Sequence, residues 1–151
     1  MSEEEKFEIG VKALFVNSKR DLLLLRAGEE ELKYTHKDFW DLPGGRIQVG
    51  SDIRETLVRE VEEELGLLEK DFKIESIFDA AISNFKITRS ESTLSLMLIV
   101  YRCRLLNQKK FVLSNEHSEY RWVSIDEAQS MLEVKFPKPF IESLDRLKQQ
   151  R

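Results

Sequence analysis

Cysteine is nearly missing from this chain: its 151 residues include one, Cys103, so no intrachain disulfide can form and a disulfide-stapled scaffold is excluded. Cys103 falls in an apolar strand pattern and reads as a core residue in a reducing compartment. Long apolar runs are missing too; the best of them, residues 22–25 and 94–101, are far too short to span a bilayer. Neither sign of charge dominates: 34% of residues are charged and the net charge is −4, which gives no large nucleic-acid footprint. The two histidines, His36 and His117, have no second histidine at ligand spacing, and both read as polar loop residues. No repeat, low-complexity tract or N-terminal signal is visible, since Met1-Ser2-Glu3-Glu4-Glu5-Lys6 is acidic and polar. These absences leave a soluble, cytoplasmic protein with one domain over residues 1–151 and a disordered tail at 1–6 as the expectation.

What is present alternates. Phe7, Ile9, Val11, Ala13 and Phe15 interleave with Glu8, Gly10 and Lys12, the period-2 mark of a strand. Further strands are expected at 21–26, 39–42, 72–82, 93–105 and 120–123, with a polar connection at 27–38 and a loop through Arg89-Ser90-Glu91-Ser92. Ser124 and Glu127 stand at capping-box spacing before a short helix, and Phe140, Ile141, Leu144 and Leu147 give an amphipathic terminal helix. Trp40 and Trp122 occupy strand positions where core packing is expected. The pattern is that of a layered α/β domain.

The most specific signal is acidic. Residues 53–65 read as a helix closed by Gly66, with Ile53, Leu57, Val61 and Leu65 as its core stripe and Val58 on the flank. Glu60, Glu63 and Glu64, spaced i, i+3, i+4, fall within a wedge of roughly 100° and must repel one another unless a hard divalent cation lies among them. A solvated acidic face is the plainer alternative, but Glu60 and Glu64 border the apolar stripe. The preceding Pro43-Gly44-Gly45 turn can bring backbone close to a ligand.

The segment 45–67 resembles the signature box of the Nudix hydrolases, G-x5-E-x7-R-E-U-x-E-E-x-G-U with U a bulky aliphatic. Gly45, Arg59, Glu60, Val61, Glu63, Glu64, Gly66 and Leu67 match in register, and Trp40-Asp41-Leu42-Pro43-Gly44 and Tyr120-Arg121-Trp122-Val123 extend the similarity weakly. One position departs: Ser51 stands where the family has its first Glu, with Asp52 beside it. Ser51 or Asp52 suits a helix N-cap, and Asp52 with Glu55 has capping-box spacing.

The resemblance implies an α/β/α sandwich with a mixed curved sheet and the catalytic loop and helix between sheet and solvent. It implies hydrolysis of a diphosphate bond in a nucleoside diphosphate linked to another group, dependent on Mg²⁺ with Mn²⁺ as a substitute. Glu60, Glu63 and Glu64 are the implied ligands, joined by the backbone carbonyl of Gly44 and by Glu116, with Glu119 as second choice. Arg59 is expected to hold a glutamate in place, and Arg46 to contact phosphate. Tyr34 and Phe85 are candidates for a base-stacking wall. A nucleotide-type small molecule is the expected partner, and a homodimer is left open. Subgroup markers are missing: there is no proline between Pro43 and Pro137, and Ser83-Asn84-Phe85 replaces a tyrosine. What remains by elimination is a generic nucleotide hydrolase acting on nucleoside triphosphates, including damaged ones. The rival class is a Nudix-fold module that senses a nucleotide without cleaving it.

Overall fold

The computed structural model describes residues 3–29, 31–32 and 37–149. Strand β1 (Phe7–Phe15) is central to a four-stranded mixed sheet of order β4-β1-β6-β5, pairing parallel with β6 (Ser92–Leu105) and antiparallel with β4 (Gly44–Arg46). β6 in turn pairs antiparallel with β5 (Phe72–Arg89). A second sheet holds β3 (Trp40–Asp41), β2 (Leu22–Ala27) and β7 (His117–Val123), in the order β3-β2-β7. Helices follow as α1 (Ile53–Leu65), α2 (Ile125–Leu132) and α3 (Lys138–Ser143), the last continued by a 3₁₀ turn at Leu144–Lys148.

The alternation along β1 and β2 explains the layering. Val11, Ala13, Phe15, Leu23 and Leu25 point to one side and pack with Leu57, Val61 and Leu65 of α1. Leu14, Val16, Leu22 and Leu24 point to the other and pack with Ala128, Leu132, Phe140, Leu144 and Leu147. Strands apolar on both faces need cover on both, which the helices supply. The expected α/β/α arrangement follows. Cys103 is fully buried on β6, and Trp40 and Trp122 pack against the two cores. Among the described residues no helix is long and apolar enough to cross a membrane.

Several boundaries differ from the sequence reading. β5 does not stop at residue 82 but continues to Arg89, through register shifts at 74/76, 77/79 and 82/86 that let polar residues sit in a bent strand. The Pro-Gly-Gly turn is in part a strand, β4, paired to β1 with Val11 opposite Gly45. β7 begins at His117 instead of residue 120, which takes that histidine out of the expected loop. The terminal helix is shorter and ends as 3₁₀. From Glu5 onward the segment read as a tail lies against β6: Ser95 N–H donates to Lys6 O at 3.0 Å, and the Glu5 carboxylate accepts from Ser95 Oγ and Lys86 Nζ.

α1 starts and stops as its sequence requires. Asp52, and not Ser51, is the N-cap: its carboxylate accepts the Glu55 N–H at 2.8 Å, an arrangement that stabilises a helix by about 1 kcal/mol. Gly66 ends the helix at φ 73°, with its N–H returned to Glu62 O at 2.8 Å. At the other capped helix, Ser124 and Glu127 form the full reciprocal box.

Candidate active site

α1 lies across β4 so that its acidic border meets the two glycines. Gly44 has φ 150°, and a Cβ there would stand 2.0 Å from Val11 O. A Cβ on Gly45 would stand 2.5 Å from Glu60 Cδ. Neither position can hold a side chain without moving the strand or the carboxylate, so the paired glycines are what let Glu60 and Glu64 sit against the sheet. The Gly44 N–H donates to Glu64 Oε1 at 2.9 Å.

The three box glutamates are not equivalent. The Glu64 side chain is 2% exposed, Glu60 16% and Glu63 59%. Burial pushes the Glu64 carboxyl up to about 9, against the pull of Lys12 and the Gly44 N–H. Glu60 is raised as well, first by burial and then by Glu63, with Arg59 opposing and Glu116 adding to the rise. Glu60 thus feels Glu63, and Glu64 feels Glu60, each behind the larger influence of burial. Arg59 answers part of this repulsion from ion-pair range, with nitrogens 3.6 Å from Glu60 Oε1 and 3.9 Å from Glu63 Oε1. Its other contact is Ser51, whose Oγ accepts at 3.4 Å, so the residue replacing the family's acid meets the arginine and leaves the capping to Asp52.

Glu116 joins this cluster from the loop before β7, and His117 follows it into the strand. Atoms of Glu64, Glu116 and His117 lie within 4.8 Å of one another. Glu64 Oε2 and His117 Nδ1 stand 3.2 Å apart, both buried and neither hydrogen-bonded. Burial is the largest influence on both groups, holding His117 down to about 4 and Glu64 up to about 9, so each favours its uncharged form. A buried carboxylate oxygen placed in this way, within reach of a second carboxylate, fits a divalent cation: Glu64 and Glu116 would hold it, with Glu60 beside them and Glu63 at the exposed rim. Such an ion supplies charge neutralisation and a more acidic bound water. At Gly44 the observed contact is through its N–H, which positions a proposed ligand.

Glu60, Glu116 and His117 line one side of a cavity of about 840 Å³. Its floor carries charges the sequence reading missed. Lys12 and Lys135 both reach Asp41 Oδ2, at 3.0 and 2.5 Å, and all three residues are buried. Burial alone would raise Asp41, but the two ammonium groups prevail and bring it to about 2. Burial lowers Lys135, while for Lys12 the carboxylates of Asp41, Glu64 and Glu60 outweigh burial and raise it. Asp41 is the carboxylate bonded to both lysines, and Glu64 and Glu60 act on Lys12 and Glu31 on Lys135 from farther away. Next to it, Phe85 and Phe39 pack edge to face at 4.9 Å, with Lys135 Nζ 5.6 Å from the Phe39 ring and 6.0 Å from that of Phe85. Asn84 Nδ2 donates to the carbonyls of Glu133, Val134 and Phe136 and so ties β5 to the segment bearing Lys135.

Of the other candidates, Arg46 lies at the cavity rim with its guanidinium donating to Glu8 at 2.9 Å. Glu119 is occupied by Arg26 and Arg121 away from the cavity. Tyr34 and His36 lie outside the described residues. Lys12 was open to detection, as a charge inside an otherwise apolar strand; Asp41 and Lys135 carry no such local sign.

Residues 6–144 match the NUDIX domain model, and the chain belongs to this family of hydrolases acting on acid anhydrides. The structure is similar to that of a MutT protein from Methanosarcina mazei, with a TM-score of 0.76 and 30% identity over 99% of this chain and 100% of that one. A Caenorhabditis elegans Ap4A hydrolase shares the fold at a TM-score of 0.67 and 16% identity, covering 93% of this chain and 95% of the other. In sequence, 58 residues are 40% identical to the mouse 8-oxo-dGDP phosphatase NUDT18; they make up 38% of this chain and 17% of that protein. The chain thus matches less than a fifth of that relative's length.

Proposed function

We propose that this single-domain chain hydrolyses a diphosphate bond in a nucleoside diphosphate linked to another group, with nucleoside triphosphates, including oxidised ones, as the leading substrates. The products would then be a nucleoside monophosphate and pyrophosphate. The observation that carries this reading is the cavity itself, with the Glu60 and Glu116 carboxylates on one side and an aromatic, cationic pocket on the other. Glu60, Glu63, Glu64 and Glu116, with the Gly44 carbonyl, are the proposed ligands for Mg²⁺ or Mn²⁺. Metal and phosphate at the acidic side would place the base toward Phe85, where stacking stabilises and Lys135 can donate to a base oxygen. Arg59 positions the glutamates and Arg46 contacts a terminal phosphate. The mouse relative's name, which specifies an oxidised guanine nucleotide, supports the substrate class.

The test is a panel of nucleoside triphosphates and diphosphates, oxidised guanine nucleotides, dinucleoside polyphosphates and nucleotide sugars, incubated with Mg²⁺ or Mn²⁺. Metal-dependent release of a monophosphate from at least one member is expected. Nucleotide binding without turnover across the panel would move the protein to the sensing class, with Ser51 as the mark of a disabled box.

A further inference from the structure

His117 stands apart from the set of oxygen donors that the signature box supplies. It is held by devices of its own. At its strand start the β2–β7 register shifts between Arg26 and Ala27, so that Ala27 pairs with His117, and the backbone at Gly28 closes on the preceding residue. The Gly28 N–H donates to Glu116 O at 2.8 Å, and a Cβ on Gly28 would strike that same oxygen at 2.8 Å. A bulge and a glycine contact thus aim Glu116 and His117 together at α1.

What they meet is the unpartnered Glu64 Oε2. The His117 side chain is 9% exposed and that of Glu64 2%, and their facing atoms, 3.2 Å apart, make no hydrogen bond. Two unprotonated acceptors cannot face each other at this distance, so a proton or a divalent ion must stand between them, and the donors around them suit an ion. Two donors in adjacent positions around a small divalent ion, with bonds of about 2.1 Å, lie about 3 Å apart. The Glu64–His117 separation fits that edge, and a Glu116 carboxylate oxygen completes a three-donor face within 4.8 Å.

We infer that His117 is itself a metal ligand, donating Nδ1 beside Glu64 and Glu116, and that this nitrogen favours a first-row transition ion, Mn²⁺ included, over Mg²⁺. The inference rests on the metal-site reading proposed above and adds a donor to it. Imidazole suits Fe²⁺, Ni²⁺, Cu²⁺ and Zn²⁺ best and Mn²⁺ least among first-row ions, whereas Mg²⁺ takes oxygen and keeps its waters, so one His among carboxylates disfavours Mg²⁺ by chemistry more than by size.

The test uses the metal alone on the full chain. Mn²⁺ is bound to the protein and its electron spin-echo modulation is recorded for directly coupled ¹⁴N. The chain has two histidines, so ¹⁵N-histidine labelling together with His36→Gln assigns the coupling to His117. The coupling is expected in the wild type, converted by the label, retained in His36→Gln and lost in His117→Gln. Calorimetry should show Mn²⁺ affinity falling about tenfold or more in His117→Gln, within the range seen when metal-site residues are lost, with Mg²⁺ affinity changed much less. Bound Mn²⁺ without histidine coupling in the wild type overturns the assignment, and needs no variant to fold. Equal loss of Mg²⁺ and Mn²⁺ affinity overturns the claimed preference. Nitrogen coupling in a chain that cleaves no nucleotide would leave this inference standing and sink the proposed function instead; turnover without coupling would do the reverse.

Discussion

Asp41→Asn keeps shape and removes one negative charge from the cavity floor, and its effect can be worked out from the contacts. In the wild type the Asp41 carboxylate bonds both Lys12 and Lys135, at 3.0 and 2.5 Å, with all three buried. Removing one partner of a buried ion pair typically costs about 3–5 kcal/mol, because the remaining charge is left without compensation. For a chain of this size that corresponds to a fall in Tm of roughly 6–20 °C. The pH dependence has a fixed sign. Asp41 is depressed to about 2 from an ordinary value of 3.8, so its contribution is fully present above about 3.8 and is lost as pH falls toward 2. The gap in Tm between wild type and variant should therefore be wide at pH 7 and narrow below pH 4. It should also narrow at high pH, where Lys135, already lowered by burial, releases its proton more readily once Asp41 is gone. Thermal melts followed by circular dichroism from pH 2.5 to 10 measure this. A gap under about 1 kcal/mol at pH 7, or one that widens in acid, would refute the picture of one buried carboxylate holding two lysines.

Three further outcomes are expected. Glu64→Gln removes a buried acid that burial raises to about 9 while retaining an acceptor for the Gly44 N–H, so the metal-free variant should melt higher than wild type at pH 8 by several degrees. Since the raised group stabilises the fold below its unfolded value and loses that contribution as pH rises toward 9, the two proteins should converge near pH 5; a wild type that melts higher at pH 8 in chelator contradicts this. Asp52→Ala should cost about 1 kcal/mol by chemical denaturation, and Ser51→Ala much less, because Asp52 carries the cap. Lys135→Met should weaken nucleotide binding and raise KM while leaving metal affinity within about twofold, and an unchanged KM removes the lysine from base recognition.

The parts of this molecule that were legible in the sequence are those written locally. The β1 alternation gave its full range, because one apolar face of a strand repeats every second residue. The acidic helix was legible because three glutamates at helical spacing, an apolar stripe and a terminal Gly66 all lie within one stretch. Other features depended on distant partners. β5 runs past residue 82 because pairing with β6 continues through bulges, and no periodicity survives a register shift. In sequence His117 reads as a loop residue because a lone histidine offers no spacing; its place is set by pairing with Ala27, ninety positions away in the chain. The Lys12–Asp41–Lys135 group joins three separate segments, and only folding brings it together. Asp52 in place of Ser51 was a choice between adjacent residues that only the cap hydrogen bond decides.

The central claim is that the box carboxylates hold a cation that makes this chain a diphosphate hydrolase, and Glu60→Gln tests it most directly. Glu60 lies between Gly45, Arg59 and the cavity, and the substitution removes its charge while nearly preserving its shape. Single-turnover rates and nucleotide affinity should be measured side by side on the best substrate of the panel at saturating Mg²⁺ and Mn²⁺. The account predicts a rate loss of at least about a hundredfold, roughly 2.7 kcal/mol, with the nucleotide still bound at high metal, because the charge is needed most in the transition state. Turnover within a few-fold of wild type would contradict it and remove Glu60 from the mechanism.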